Sequence, residues 1–201
     1  MNCAQCKHNK CQTAGQDCTG IGVETVKAMY TGTDRQLMTV AACTEGRNYM
    51  KMCRLEESVA FAQELGVKKI GLAFCVGLSK EARVIVAYFA KFFEVHSVCC
   101  KVCGVSKEHL ALEQIQAGRF EAMCNPKTQA KILADAGTEL NFSAGLCVGH
   151  DILFQTASAV PVSCLVTKDR ILAHNPLGAV YSGYWRRKLG IADAGQDGDQ
   201  L

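Results

Sequence analysis

The chain has 201 residues, 49% of them hydrophobic and 20% charged, with a net charge of +3. That length and composition suffice for one ordinary domain with its own core, and the near-neutral balance leaves no basic footprint for nucleic acid. Three prolines and 18 glycines exclude a low-complexity chain or a long linker.

Thirteen cysteines are the anomaly. An odd number cannot pair completely within one chain, and the first twenty residues lack the apolar run of a secretory signal. The longest apolar stretches, such as 84–90, are far too short for a membrane span. The expected setting is therefore a reducing cytoplasm, where thiols serve as metal ligands, redox groups or core residues rather than disulfides.

Residues 1–20 stand apart as a Cys-rich module. Cys3, Cys6, Cys11 and Cys18 follow one another at spacings Cys-x2-Cys-x4-Cys-x6-Cys with few large apolar side chains between them. Such a segment buries too little surface to order itself, and a metal held by four thiolates supplies what is missing. The donor set suits zinc or an iron–sulfur cluster; the spacings match neither a tight zinc ribbon nor the standard ferredoxin run. Residues 21–66 read as a helical segment packed on the main domain. Asp34 is a candidate cap, and Leu55, Val59, Ala62 and Leu65 form a stripe that ends at Gly66.

From residue 67 strands and helices alternate. Residues 67–74 form a first buried strand, followed by a helix from Ser79 with Ala82, Ile85, Val86, Phe89 and Phe93 on one face. A second strand spans 94–100, a helix lies near 106–115, and 120–124 reads as a short third strand. Asn125-Pro126 opens a helix that stops before Gly137. The fourth and fifth strands cover 139–148 and 160–167, with a short helix after Gly149 between them. Lys168-Asp169-Arg170 reads as a turn with solvated charges, Asn175-Pro176 opens a last helix toward Leu189, and 191–201 reads as a flexible tail. The fold class is α/β, with a mostly parallel sheet and flanking helices over 67–190.

Cys75, Cys100, Cys124 and Cys147 each fall where a predicted strand ends. Ligands bind at the carboxyl ends of strands in open parallel sheets, and helix N-termini there favour the thiolate. The four are the expected ligands of one cluster, with Cys103 an alternative to Cys100. A single such cysteine is more often a small core hydrophobe than a ligand; the pattern lies in four at matching junctions, two of them in the echo Cys75-Val-Gly77 and Cys147-Val-Gly149. Cys43, Cys53, Cys99 and Cys164 read as packing. His150, three residues after Cys147, is a candidate acid or base, with ligand and helix cap as the other readings. No phosphate loop, dinucleotide fingerprint, nucleophile elbow or His-Glu-x-x-His occurs.

Cys-x2-Cys-x4-Cys at the start, Ala73-Phe-Cys-Val-Gly-Leu78, Cys100-Lys-Val, Glu121-Ala-Met-Cys-Asn-Pro126, Gly145-Leu-Cys-Val-Gly-His-Asp151, Val166-Thr-Lys-Asp-Arg170 and His174-Asn-Pro176 together resemble a family of Cys-rich prokaryotic metal-binding proteins, domain of unknown function 1847. The resemblance covers nearly the whole chain and implies a metalloprotein of organisms living with little oxygen, with no reaction attached. The family's Cys-Lys-Val-Gly here reads Cys99-Cys-Lys-Val-Cys103-Gly, which leaves Cys100 and Cys103 both open as ligands.

The leading expectation is a cytoplasmic protein with an iron–sulfur cluster, of the 4Fe-4S kind, at the sheet's carboxyl edge. It serves electron transfer or chemistry on a small molecule, with a redox partner or small-molecule substrate and neither nucleic acid nor membrane. The alternative is a non-enzymatic metal-binding or sensing protein with structural zinc at the N-terminal cysteines. Thiol–disulfide chemistry through Cys100 and Cys103 ranks third.

Overall fold

The computed structural model describes residues 1–191. The tail expected over 191–201 lies, from 192 on, outside the described residues. The chain divides into two compact units, Met1–Lys51 and Met52 onward.

The first unit holds a 3-10 turn at Cys3–Gln5 and the helices α1 (Lys10–Thr13), α2 (Val23–Met29) and α3 (Gly32–Asn48). The Asp17 carboxylate accepts the backbone N–H groups of Thr19, Gly20 and Gly22 at 2.8, 3.0 and 2.9 Å and the Thr19 hydroxyl at 2.6 Å. The Thr19 hydroxyl bond, then the backbone donors, pull its pKa down to about 2. Asp34 does not cap α3 as expected. Thr31 holds the N-cap position, and Asp34 lies inside the first turn, where its charge faces the positive end of the helix dipole.

The second unit begins with α4 (Arg54–Glu64), where the Cys53 side chain and Glu56 form a reciprocal capping box. Then come β1 (Lys69–Phe74), α5 (Ser79–Phe89), β2 (Glu94–Cys99), α6 (Pro126–Asp135), β3 (Leu140–Ala144), α7 (His150–Ala157), β4 (Val162–Val166), α8 (Leu177–Tyr181) and α9 (Gly183–Lys188). The four strands are all parallel, in the order β2-β1-β3-β4. Asn125 caps α6 through its side chain, with Pro126 at the first helical position, as the sequence predicts.

Side chains alternate across a strand, and the two faces of β1 therefore enter different cores. Ile70 and Leu72 join Leu140 and Phe142 of β3 beneath Val59 and Ala62 of α4 and Ala82, Ile85 and Phe89 of α5. Ala73, Cys75, Val98 and Cys100 take the opposite face, with Ala130 and Leu133 of α6 and Phe154 of α7. β3 is buried along its whole length, as a central strand covered on both faces must be. Burying each of the large side chains Phe89, Phe142 and Phe154, all at most 1% exposed, contributes about 1.5–3 kcal/mol.

Three predicted elements differ. Residues 120–124 are not a sheet strand: Ala122 makes one isolated antiparallel bridge to Ser106. The backbone there is satisfied by the neighbouring loop instead, with Met123 N–H on the Val105 carbonyl at 2.8 Å and Lys107 N–H on the Glu121 carbonyl at 2.9 Å. The helix expected near 106–115 shrinks to a 3-10 turn, Lys107–Leu110, which stops at Ala111 in the left-handed region. The last helix breaks into α8 and α9 at Ser182, whose extended backbone and side-chain bond to the Trp185 N–H restart the helix. Cys53 and Cys164, expected as packing residues, are exposed.

Candidate metal centre

The parallel register decides which cysteines meet. β1 pairs with β2 so that Ala73 faces Val98 and Phe74 faces Cys99, and the Cys100 N–H continues the ladder onto the Phe74 carbonyl at 2.8 Å. One step further along, Cys75 and Cys100 therefore stand side by side on the same face, about one strand spacing apart. On the other flank the Cys75 N–H bonds the Ala144 carbonyl at 3.1 Å, which ties the end of β1 to the end of β3 just before Gly145-Leu146-Cys147. The chain carrying Cys124 returns to the same edge because the Asn125 N–H bonds the Cys100 carbonyl at 2.8 Å. Gln129 of α6, fully buried, clamps the two strand ends by donating to the Val98 carbonyl at 2.7 Å and to the Phe74 carbonyl at 3.3 Å.

Three thiols meet as a result. Cys100 is the common side-chain partner of Cys75 and Cys124. Three thiols this close do not ionise together. The proton stays on Cys100, whose pKa is driven up by Cys124, by Cys75 and by its own burial, against a lowering bond from the Val76 N–H at 3.3 Å. Its neighbours become the thiolates. The Cys100 hydrogen bond, then the Gly77 N–H and Lys168, hold Cys75 at about 4 against a desolvation cost. The Cys100 bond, then the charges of Lys101 and His150, hold Cys124 at about 5. The array is thiolate, thiol, thiolate, and all the cysteines are free.

Cys147 is not among the hydrogen-bond partners of that trio, and its sulfur takes a hydrogen bond from the Arg170 guanidinium at 2.9 Å. His150 opens α7 with its Nδ1 buried and unpartnered. Cys103 is exposed, with a left-handed backbone at φ 71°, so the junction after β2 delivers Cys100 rather than Cys103 to the trio. Among the described residues no group of three or more His, Cys, Asp or Glu side chains stands ready around a metal-sized centre.

Reading Lys168-Asp169-Arg170 as a turn with solvated charges missed two side chains that reach cysteine sulfurs. Lys168 Nζ lies 3.3 Å from the Cys75 sulfur, and Arg170 meets Cys147. The signal was available: these residues follow β4 at the same carboxyl edge that singled out the cysteines.

The N-terminal cysteines Cys3, Cys6, Cys11 and Cys18 are all exposed. Cys6 alone carries a distinctive feature. Its sulfur accepts the backbone N–H groups of His8 and Asn9, which lower its pKa, and Asn9 turns the chain with a left-handed backbone at φ 41°.

A family model described as "Protein of unknown function (DUF1847)" matches residues 13–165. The chain belongs to that family. It is also 45% identical over 190 residues to an uncharacterized protein of Methanocaldococcus jannaschii, covering 94% of this chain and 98% of that one. No solved structure matches. The stretch matched by the family model contains Cys75, Cys100, Cys124 and Cys147 and leaves Cys3, Cys6 and Cys11 outside it. Among the described residues no helix is long and apolar enough to cross a membrane.

Proposed function

We propose that this chain is a cytoplasmic metalloprotein that carries an iron–sulfur cluster at the carboxyl edge of its sheet. Cys75, Cys100 and Cys124 are the ligands, and Cys147, which Arg170 engages, is a fourth thiol at the same edge. The observation that carries the reading is the trio itself: three free thiols from three separate junctions, two of them held as thiolates at neutral pH. Thiolate is the ligating form, and soft sulfur donors select iron–sulfur clusters and zinc. Lys168 beside Cys75 and Lys101 beside Cys124 offset the negative charge that a thiolate-bound cluster keeps. A cluster held by three cysteines leaves one iron open to a small molecule; Cys147 as a fourth ligand would leave only electron transfer. His150, near Cys124, is then the candidate proton donor or acceptor.

Anaerobic purification followed by iron, sulfide and zinc analysis tests this directly. Iron with matching sulfide and a visible absorption band is expected. Their absence from anaerobic protein, before and after reconstitution with iron and sulfide, would sink the reading.

The second reading, a non-enzymatic metal-binding or sensing protein with structural zinc at Cys3, Cys6, Cys11 and Cys18, is favoured by one observation. Two backbone N–H groups converge on the Cys6 sulfur, the kind of hydrogen bonding that stabilises a metal-bound thiolate. Zinc alone, lost when Cys3 and Cys6 are replaced by Ser, is the result it expects, with residues 1–20 becoming protease-sensitive.

A further inference from the structure

The loop after β4 brings two cations to the thiols and holds them there. Asp169 fixes it from within: its Oδ1 accepts the N–H groups of Ile171 and Leu172 at 2.9 and 2.8 Å, and its own N–H bonds His174 Nδ1 at 3.2 Å. The His174 N–H closes back onto the Asp169 carbonyl at 2.9 Å. Ala173 and His174 both take left-handed backbone, at φ 50° and 62°, which non-glycine residues adopt only when their surroundings hold them. Lys168 and Arg170, flanking Asp169, consequently reach two different sulfurs at 3.3 and 2.9 Å.

Neither cation forms an ion pair with a carboxylate among the described residues. Lys168 is half-buried, with its Nζ 3.3 Å from the Cys75 sulfur. Arg170 is exposed, and its guanidinium carries five donors in a planar fork, so its bond to Cys147 leaves others that match a carboxylate or phosphate two bonds at a time. A cationic ligand is repelled by this pair, and a neutral one gains hydrogen bonds from it but no charge pairing.

We propose that the small molecule drawn to this edge is an anion bearing an oxyanion group, held by Arg170 and Lys168 against the metal-bearing thiols. The proposal rests on the cluster reading, because the anion would be held beside the open position that a cluster with three cysteine ligands leaves. It extends that reading by naming the chemical class of the ligand.

The test titrates the metal-loaded protein separately with acetate and with inorganic phosphate, following the visible spectrum and the thermal midpoint, for wild type, Arg170→Lys and Arg170→Ala. Metal content is measured on each sample. Wild type should respond saturably to one of the anions, and both variants should respond at least about tenfold more weakly at unchanged metal content, because a lysine keeps the charge and loses the fork. A response to acetate but not phosphate assigns a carboxylate ligand, and the reverse assigns a phosphate. Equal responses of wild type and Arg170→Lys would reduce Arg170 to charge balance and overturn the proposal, as would no response to either anion. Should the protein carry no metal, the cluster reading fails on the metal analysis alone. The same titration of the metal-free chain then decides the anion site separately, since a wild-type response lost in Arg170→Lys supports it and no response overturns it.

Discussion

Arg170 places a guanidinium nitrogen 2.9 Å from the sulfur of Cys147, 23 residues away in sequence. The bond joins the loops that follow β3 and β4, two neighbouring parallel strands. With Lys168 on Cys75, one loop thus holds sulfurs at the ends of both central strands. Cationic donors therefore meet sulfur at both of those strand ends.

The metal-free trio should react as thiolate far below the pH at which ordinary thiols do. Free cysteine ionises near about pH 8.5, whereas Cys75 and Cys124 lie at about 4 and about 5. Alkylation followed by mass spectrometry should therefore label these two at mildly acidic pH, while Cys100, which keeps the proton, stays slow. The stability consequence has a definite sign. Folded-state pKa values are depressed for Cys75 and Cys124, so their contribution is fully present above the unfolded value and is lost as pH falls through about 5 and then about 4. Cys100 is raised and works the other way, contributing below the unfolded value and losing that contribution at alkaline pH. The metal-free protein should accordingly gain stability from mildly acidic pH up to near about pH 8.5 and level off or decline beyond. Unlabelled Cys75 and Cys124 at mildly acidic pH would contradict the array.

Cys100 is the partner the other two share, so its loss should be felt most. Cys100→Ser keeps a small polar group beside the Val76 N–H but removes the soft donor and the thiol proton shared with both neighbours. Bound metal should fall by most of its amount while the circular dichroism of the α/β body stays unchanged. Cys103→Ser, at an exposed position, should leave metal content as it is. The reverse pattern would make Cys103 the ligand.

How much of this was legible follows from what each signal encodes. The parallel sheet was, because long apolar runs separated by helical stripes admit few other folds, and Leu55, Val59, Ala62 and Leu65 pack as their spacing predicts. The placement of Cys75 and Cys100 was legible for the same reason, since both simply follow strands. Residues 120–124 were misread because a five-residue run carries too little period to tell a strand from a loop with one bridge. Lys168 and Arg170 were misread because charge next to a turn is normally solvated; only the sheet order shows that their loop rises beside β3 and its cysteine.

Gln129 tests whether the clamp on the strand ends matters. It donates to the carbonyls of Val98 and Phe74 while its Oε1 is buried without a partner. Gln129→Leu removes two donated bonds and one unsatisfied acceptor, and should cost about 1–3 kcal/mol in urea unfolding. Gln129→Glu places an ionised acceptor against the same carbonyls and should cost more at neutral pH, with the difference shrinking in acid as the carboxyl protonates. Wild-type stability of Gln129→Leu at neutral pH would mean that the clamp carries no weight.

Gly145 shows how tightly the edge is built. It holds a left-handed backbone at φ 64°, its N–H bonds the Val166 carbonyl at 2.7 Å, and an added Cβ would collide with the Leu78 side chain. Backbone strain and overpacking add, so Gly145→Ala should destabilise by about 2–4 kcal/mol and lower metal loading by shifting the loop to Cys147. Gly149→Ala, also left-handed at φ 86° but with open space around it, should cost less and separates the strain from the collision. Thermal unfolding of the two variants side by side checks the order.

His150 divides three roles that share one position. Its N–H bonds the Cys147 carbonyl at 2.9 Å, so α7 begins directly behind that thiol, and its ring helps to hold Cys124 as the thiolate. A buried Nδ1 without a partner costs stability unless something uses it. The ring does not cap the helix, because Gly149 holds the N-cap position and no side chain bonds there. Replacing His150 by Ala should therefore leave stability within about 1 kcal/mol, with removal of an unsatisfied buried nitrogen offsetting lost packing. As a proton donor or acceptor it should leave metal content unchanged and lower turnover of a small-molecule substrate about 100-fold or more. As a ligand it should lower metal content instead, and His150→Gln, which keeps a polar atom but no imidazole, should fail to restore it. Metal analysis alone decides between these two: normal loading in His150→Ala removes the ligand role, and depleted loading removes the acid–base role in its simple form.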